Sequence, residues 1–169
     1  VTDTLKQLRL NVGLLINRSV GYSRDFDVDV PFIHLEPDLD LYDLSGSVHA
    51  TRTSRGILLQ ADMRAYIVTE CVRCLTEFNL PLHAEFTELY AFSRNSVDES
   101  DLVLPEEAKI DLAPILREYM ILEIPIKPVC GVECRGLCPI CGEPFTHNHH
   151  DHEPESIDPR LAVLKTLLK

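Results

Sequence analysis

Apolar and polar residues alternate with a period of two along much of the N-terminal half of the chain, the pattern of strands buried on one face. Leu8 to Ile16 reads as a first strand. Asp25-Phe26-Asp27-Val28-Asp29-Val30 alternates cleanly, and Pro31 is expected to end that strand. Leu41 to Thr53 follows, then a hairpin turn at Ser54-Arg55-Gly56, where glycine would supply a positive φ. Ile57 to Glu70 sets Leu59, Ala61, Met63, Ala65 and Ile67 on one face and Gln60, Asp62, Arg64 and Tyr66 on the other. Phe78, Leu80, Leu82, Ala84 and Phe86 form the next alternating run, with Pro81 pointing to a sheet edge. The period then changes. Leu112, Ile115, Leu116, Tyr119 and Met120 form the apolar stripe of a helix over 111–123, with Asp111 as its N-cap, Pro114 in its first turn and Ile124-Pro125 stopping it. Asp158-Pro159-Arg160 opens a short final helix carrying Leu161, Leu164 and Leu168.

These elements predict an α+β fold: an antiparallel sheet or partly open β-barrel with one packed helix. They divide the chain into a β-rich core domain over 1–129 and a Cys/His-rich module with a short C-terminal helix over 130–169. The 169 residues suffice for one cored domain plus a small appendage, and 45% hydrophobic with 25% charged residues is ordinary for a folded chain. Charge narrows the function. With 27 acidic and 16 basic side chains the formal charge is -11, which disfavours broad binding to a phosphate backbone and suits a basic protein partner. The stretch Ser93 to Glu107 adds to this, reading as a solvated acidic loop. No apolar run is long enough to span a membrane, and Val1-Thr2-Asp3-Thr4 lacks the features of a signal peptide. A reducing, cytoplasmic setting is therefore expected, in which paired cysteines serve as metal ligands more often than as disulfides.

The cysteine spacing carries the chemistry. Cys71-Val72-Arg73-Cys74 is a C-x2-C knuckle, Cys130 and Cys134 are separated by three residues, and Cys138-Pro139-Ile140-Cys141-Gly142 is a second knuckle. His147, His149, His150 and His152 follow. Zinc takes four tetrahedral sulfur or nitrogen ligands, and a tight turn can present two thiolates to one ion. Cys71, Cys74, Cys130 and Cys134 would complete one site; Cys138, Cys141 and two of the histidines would complete another. The competing arrangement is a single ribbon of Cys71, Cys74, Cys138 and Cys141. Catalytic zinc needs an open coordination position and a general base, and no such pattern accompanies these cysteines. A redox role for Cys71 and Cys74 would place them at the start of a helix, whereas here they fall between two strands.

The chain resembles the YceD family, known for large ribosomal RNA subunit accumulation. The resemblance is carried by Leu8-Arg9-Leu10-Asn11-Val12-Gly13, Cys71-Val72-Arg73-Cys74-Leu75, Glu123-Ile124-Pro125-Ile126-Lys127-Pro128-Val129-Cys130, Cys134-Arg135-Gly136-Leu137-Cys138-Pro139-Ile140-Cys141-Gly142 and Asp158-Pro159-Arg160. Many members follow the second knuckle with a C-x-C pair. Counted from Cys141, those positions fall here on His150 and His152, which keeps tetrahedral zinc chemistry. The resemblance implies a cytoplasmic factor (plastid in a plant) without enzymatic activity. It would carry structural zinc, about two ions per chain, and act on a large-subunit assembly intermediate through a ribosomal protein or rRNA. No membrane and no small-molecule substrate is expected. Arg73, Lys127 and Arg135 are the candidate partner contacts beside the metal. The alternative class is a zinc metalloenzyme or thiol redox protein.

Overall fold

In the computed structural model the described residues are 7–92 and 102–145. Four long strands dominate: β2 (Ser23–Leu35), β3 (Leu39–Arg52), β4 (Gly56–Glu70) and β5 (Glu77–Ala91). They follow the short β1 (Arg9–Asn11) and the single-turn helix α1 (Gly13–Ile16), and precede β6 (Leu102–Val103), β7 (Lys109–Asp111) and helix α2 (Ala113–Leu122). The main sheet has the order β2-β3-β4-β5-β6; β1 and β7 pair separately. The long strands are antiparallel, but β6 runs parallel to β5, opposite Tyr90 and Ala91, so the sheet is mixed and is not a closed barrel. β6 lies inside the stretch read as an acidic loop, of which 93–101 fall outside the described residues. The expected closing helix at 158–168 also lies outside them.

Alternation works as the sequence implies. Ile57, Leu59, Ala61, Met63, Ala65 and Ile67 are buried, while Gln60, Arg64 and Tyr66 are exposed and Asp62 is half-buried. Helix α2 lies on the inner face, burying Ile115, Leu116 and Met120. Phe86 of β5 stacks on Tyr119 with 4.7 Å between ring centroids, and the Tyr119 hydroxyl donates to Glu88 Oε1 at 2.7 Å. Two residues earlier on the helix Arg117 Nη2 reaches Asp38 Oδ1, 2.6 Å away in the β2–β3 turn. The helix is thus tied both to β5 and to the β2–β3 turn.

Four local expectations change. Leu8 to Ile16 is not one strand, since α1 interrupts it after Asn11. β2 runs on through Pro31. It is the edge strand, and the ladder to β3 passes from Val30–Leu44 to Phe32–Tyr42 without pairing Pro31 or Asp43, so the missing N–H leaves no acceptor unmet. Asp43 takes a φ of 50°, and beyond this point the buried positions change from even to odd numbers, to Ile33, Leu35, Leu39 and Leu41. Helix α2 is shorter than 111–123 and its N-cap is Leu112, although the Asp111 carboxylate still accepts the Ala113 N–H at 3.0 Å. Gly56 has no positive φ. Glycine is needed there because a Cβ would run into the Tyr90 carbonyl of the adjacent strand.

Candidate metal centre

The β4–β5 hairpin ends in a six-residue connection that is itself the first knuckle, Cys71 to Thr76. The ladder closes at Glu70–Glu77. One step further the Cys71 N–H donates to the Thr76 carbonyl at 3.0 Å, and the Leu75 N–H returns to the Cys71 carbonyl at 2.9 Å. Leu75 adopts a φ of 57° to allow this. The second knuckle repeats the pattern: Cys138 N–H to Glu143 carbonyl at 2.8 Å, and Gly142 N–H to Cys138 carbonyl at 2.8 Å, with Gly142 at a φ of 74°. The sequences share only the cysteine spacing, so this backbone path is what the C-x2-C turn requires.

The segment after α2 is fastened to the first knuckle through its backbone. Val72 N–H donates to the Pro128 carbonyl at 3.0 Å, and Arg73 Nη1 to the Cys134 carbonyl at 3.1 Å. Gly136, at a φ of 84°, lies so close that a Cβ would sit 3.1 Å from the Arg73 carbonyl. These contacts bring four thiols together. Cys71 Sγ lies 3.8 Å from Cys134 Sγ, Cys74 Sγ lies 3.6 Å from Cys130 Sγ, and all four sulfurs fall within 4.8 Å of one another. A tetrahedron with metal–sulfur bonds of about 2.3 Å has edges of about 3.8 Å, so the set fits one tetrahedral ion. Cys71 and Cys74 are buried, Cys134 is half-buried and Cys130 is exposed.

The thiols differ in acidity. Burial pushes Cys71 up, but hydrogen bonds from the backbone at Cys130, Cys74 and Arg73 outweigh it and bring it down to about 6. Cys74 is lowered chiefly by its hydrogen bond with the Thr76 hydroxyl. Cys130 is pushed up to about 12 by the neighbouring thiols of Cys74 and Cys134 and by burial. The negative charge thus collects on the hairpin side, and a bound dication would draw the remaining protons off the other thiols.

Cys138 and Cys141 are not part of the four-thiol cluster, so the sulfurs do not assemble as the single ribbon. His147, His149, His150 and His152 lie outside the described residues. Arg73, Lys127 and Arg135 are exposed, but so are apolar side chains: Ile126 is 98% and Val132 94% accessible. This end of the molecule is more apolar than a reading of its charges suggests. A second cluster escaped the sequence reading. Asp62 on β4 meets His83 and Glu85 on β5 on the outer face of the sheet, with His83 Nε2 2.9 Å from Asp62 and 3.5 Å from Glu85. Alternation places Asp62 outward, but only the strand register reveals what stands opposite it. Among the described residues no helix is long and apolar enough to cross a membrane.

No solved structure matches the chain. Among curated proteins, Rv2926c of Mycobacterium tuberculosis is 35% identical over 119 residues, 68% of this chain and 57% of its own length. YlbN of Bacillus subtilis is 32% identical over 101 residues, 59% of each chain. Both are described as uncharacterized, and the chain spans less than two thirds of either. Residues 59–168 match the family described as large ribosomal RNA subunit accumulation protein YceD, a stretch that takes in every cysteine and covers more than half of the 169 residues. The chain therefore belongs to the YceD family.

Proposed function

We propose that this chain is a non-catalytic, zinc-stabilised factor that supports accumulation of the large ribosomal subunit RNA. The observation that carries the metal part is the convergence of four thiols at tetrahedral edge lengths on a hairpin tip. Zinc is the ion that thiolate-only tetrahedral sites favour in a reducing setting, and four thiolates leave no coordination position for a substrate. The ribosomal part rests on the family. A second zinc held by Cys138, Cys141, His150 and His152 completes the reading. The second knuckle has the same hydrogen-bonded turn as the first, which favours it.

On this reading the metal fixes the backbone that displays Lys127, Arg135, Ile126 and Val132, and that mixed basic and apolar end docks on a large-subunit assembly intermediate through ribosomal protein or rRNA. The contacts of Arg73 suggest a different part for it: its guanidinium is engaged with the Cys134 carbonyl, so it braces the site as well as charging it. Complementation of a deletion strain tests the reading, scored by the ratio of large to small subunits. Lys127→Glu with Arg135→Glu should lower that ratio while zinc content and melting temperature stay unchanged. Full rescue by this variant removes the metal-centre end from the function.

A further inference from the structure

The outer face of the main sheet has no layer packed on it among the described residues, and its composition is not that of an inert solvated surface. Register places Phe32, Tyr42, Tyr66 and Pro81 directly opposite one another across β2, β3, β4 and β5. Phe32, Tyr42 and Tyr66 are 44%, 38% and 44% exposed, and the Phe32 and Tyr42 rings lie 5.1 Å apart. An aromatic row this exposed contributes little to the core. Farther along the strands a second row runs Asp27, Ser47, Asp62, Glu85, again one residue per strand. Two small serines, Ser45 and Ser47, leave a shallow groove between Asp27 and Asp62.

The charges on this face are unbalanced. Asp25, Asp27, Asp29, Asp40, Asp62 and Glu85 point outward, against Arg64 as the permanent cation, 3.8 Å from Asp62, while His49 and His34 are hydrogen-bonded to Asp25 and Asp40 at 2.5 and 2.6 Å. Asp62 and Glu85 are directly opposed, an arrangement that lowers the stability of a strand pair. His83 lies between them, its Nε2 2.9 Å from Asp62 and 3.5 Å from Glu85. Folding does not call for such a pair, whereas a guanidinium bridging both carboxylates would turn the repulsion into charge-assisted hydrogen bonds.

We propose that this face is a docking surface for an arginine- and lysine-rich protein segment. Guanidinium groups stack on tyrosine and phenylalanine faces and pair with carboxylates, and the two rows, about 14 Å apart along β4, offer both partners to successive side chains of one extended segment. Nucleic acid is disfavoured, because six carboxylates would meet its phosphates. The surface is separate from the metal centre. Asp62 and Tyr66 stand nine and five residues before Cys71 along β4, spans of about 30 and 17 Å at roughly 3.4 Å per residue. The inference therefore goes beyond the reading above and does not depend on what the metal-centre end contacts.

The test uses the full chain, zinc-loaded, with a fluorescent peptide of alternating arginine and serine as probe, its affinity read by anisotropy and its footprint by NMR shifts. Asp62→Asn with Glu85→Gln should weaken binding about tenfold or more, and Tyr66→Ala several-fold, with shifts confined to the outer residues of β2 to β5. Glu106→Gln with Glu107→Gln changes net charge equally at exposed sites elsewhere and should leave affinity within about twofold. Equal weakening by both charge pairs would reduce the effect to bulk attraction and overturn the proposal. So would an absence of binding, a footprint off the sheet, or tighter binding of single-stranded RNA to the same face. Unchanged zinc content in every variant keeps the outcome distinct from any failure of the metal centre.

Discussion

Leu75 and Gly142 occupy the same backbone position in the two knuckles: each has a positive φ, 57° and 74°, and each donates its N–H to the cysteine carbonyl four residues earlier, at 2.9 and 2.8 Å. Glycine takes this conformation freely, whereas a side chain costs about 1–2 kcal/mol. Leu75 is 57% exposed, so little burial offsets that cost. Leu75→Gly should therefore stabilise the protein by about 0.5–1 kcal/mol, and Gly142→Ala should destabilise the second turn by about 1 kcal/mol. Denaturant titration of both variants checks the pair, and shifts of the same sign would break the equivalence.

Metal content should be about two zinc ions per chain, falling to about one in Cys138→Ser, by elemental analysis of untagged protein. Cys74→Ser should cost more, because a zinc held by the four-thiol set would join the hairpin to the segment after α2. A loss of about 3 kcal/mol corresponds to roughly 6–12 °C in melting temperature for a chain of this size. His150→Ala should leave the β4–β5 amides protected from hydrogen exchange. Equal loss of protection across the sheet in His150→Ala and Cys74→Ser would contradict two separate sites.

In the metal-free protein the thiol cluster should show an ionisation near 6, where Cys71 is drawn down from the ordinary thiol value. A depressed thiol stabilises the fold fully above its unfolded value and loses that contribution as pH falls through about 6. Ultraviolet thiolate absorbance between pH 5 and 8 measures the step, which belongs to the coupled cluster as a whole. It should vanish in Cys71→Ser. A first step at the ordinary thiol value would exclude the backbone hydrogen bonds as its cause.

Gly46→Ala should destabilise the sheet by about 1–3 kcal/mol, since the added methyl would overlap the Asp62 carbonyl of the neighbouring strand. Tyr119→Phe keeps the ring stack on Phe86 and loses only the hydrogen bond to Glu88, a cost of about 1 kcal/mol. Chemical denaturation separates the two, and a larger loss for Tyr119→Phe would reverse the ranking of close packing over this single contact.

Residues carry different amounts of their structure in their own sequence. The inner face of β4 was legible because alternation needs no partner to be read, and the stripe of α2 was legible for the same reason. Pro31 misled because a proline stops a strand only where its N–H is needed, and whether a strand is an edge depends on the whole sheet. Gly56 misled because glycine answers two needs, an unusual φ and a close approach, and the second is visible only once Tyr90 lies alongside. The cysteine spacing named the thiols, while the backbone links from Val72 and Arg73 decided which of them meet. The Asp62–His83–Glu85 group left no local trace, as its members converge only through strand register.

The two thiols at the tip of the β4–β5 hairpin find their sulfur neighbours 56 and 63 residues later. A ribosome releases the chain in that order. The hairpin, with fifteen residues in each strand, can therefore zip together while half of its terminal cage is still being made. Four sulfurs can close on an ion only after Cys134 has left the exit tunnel. Until then the tip holds two thiols and has nothing to join. Capture of an ion by this cluster would thus be a late event in the birth of the molecule, one that distinguishes a chain synthesised past this point from a truncated one.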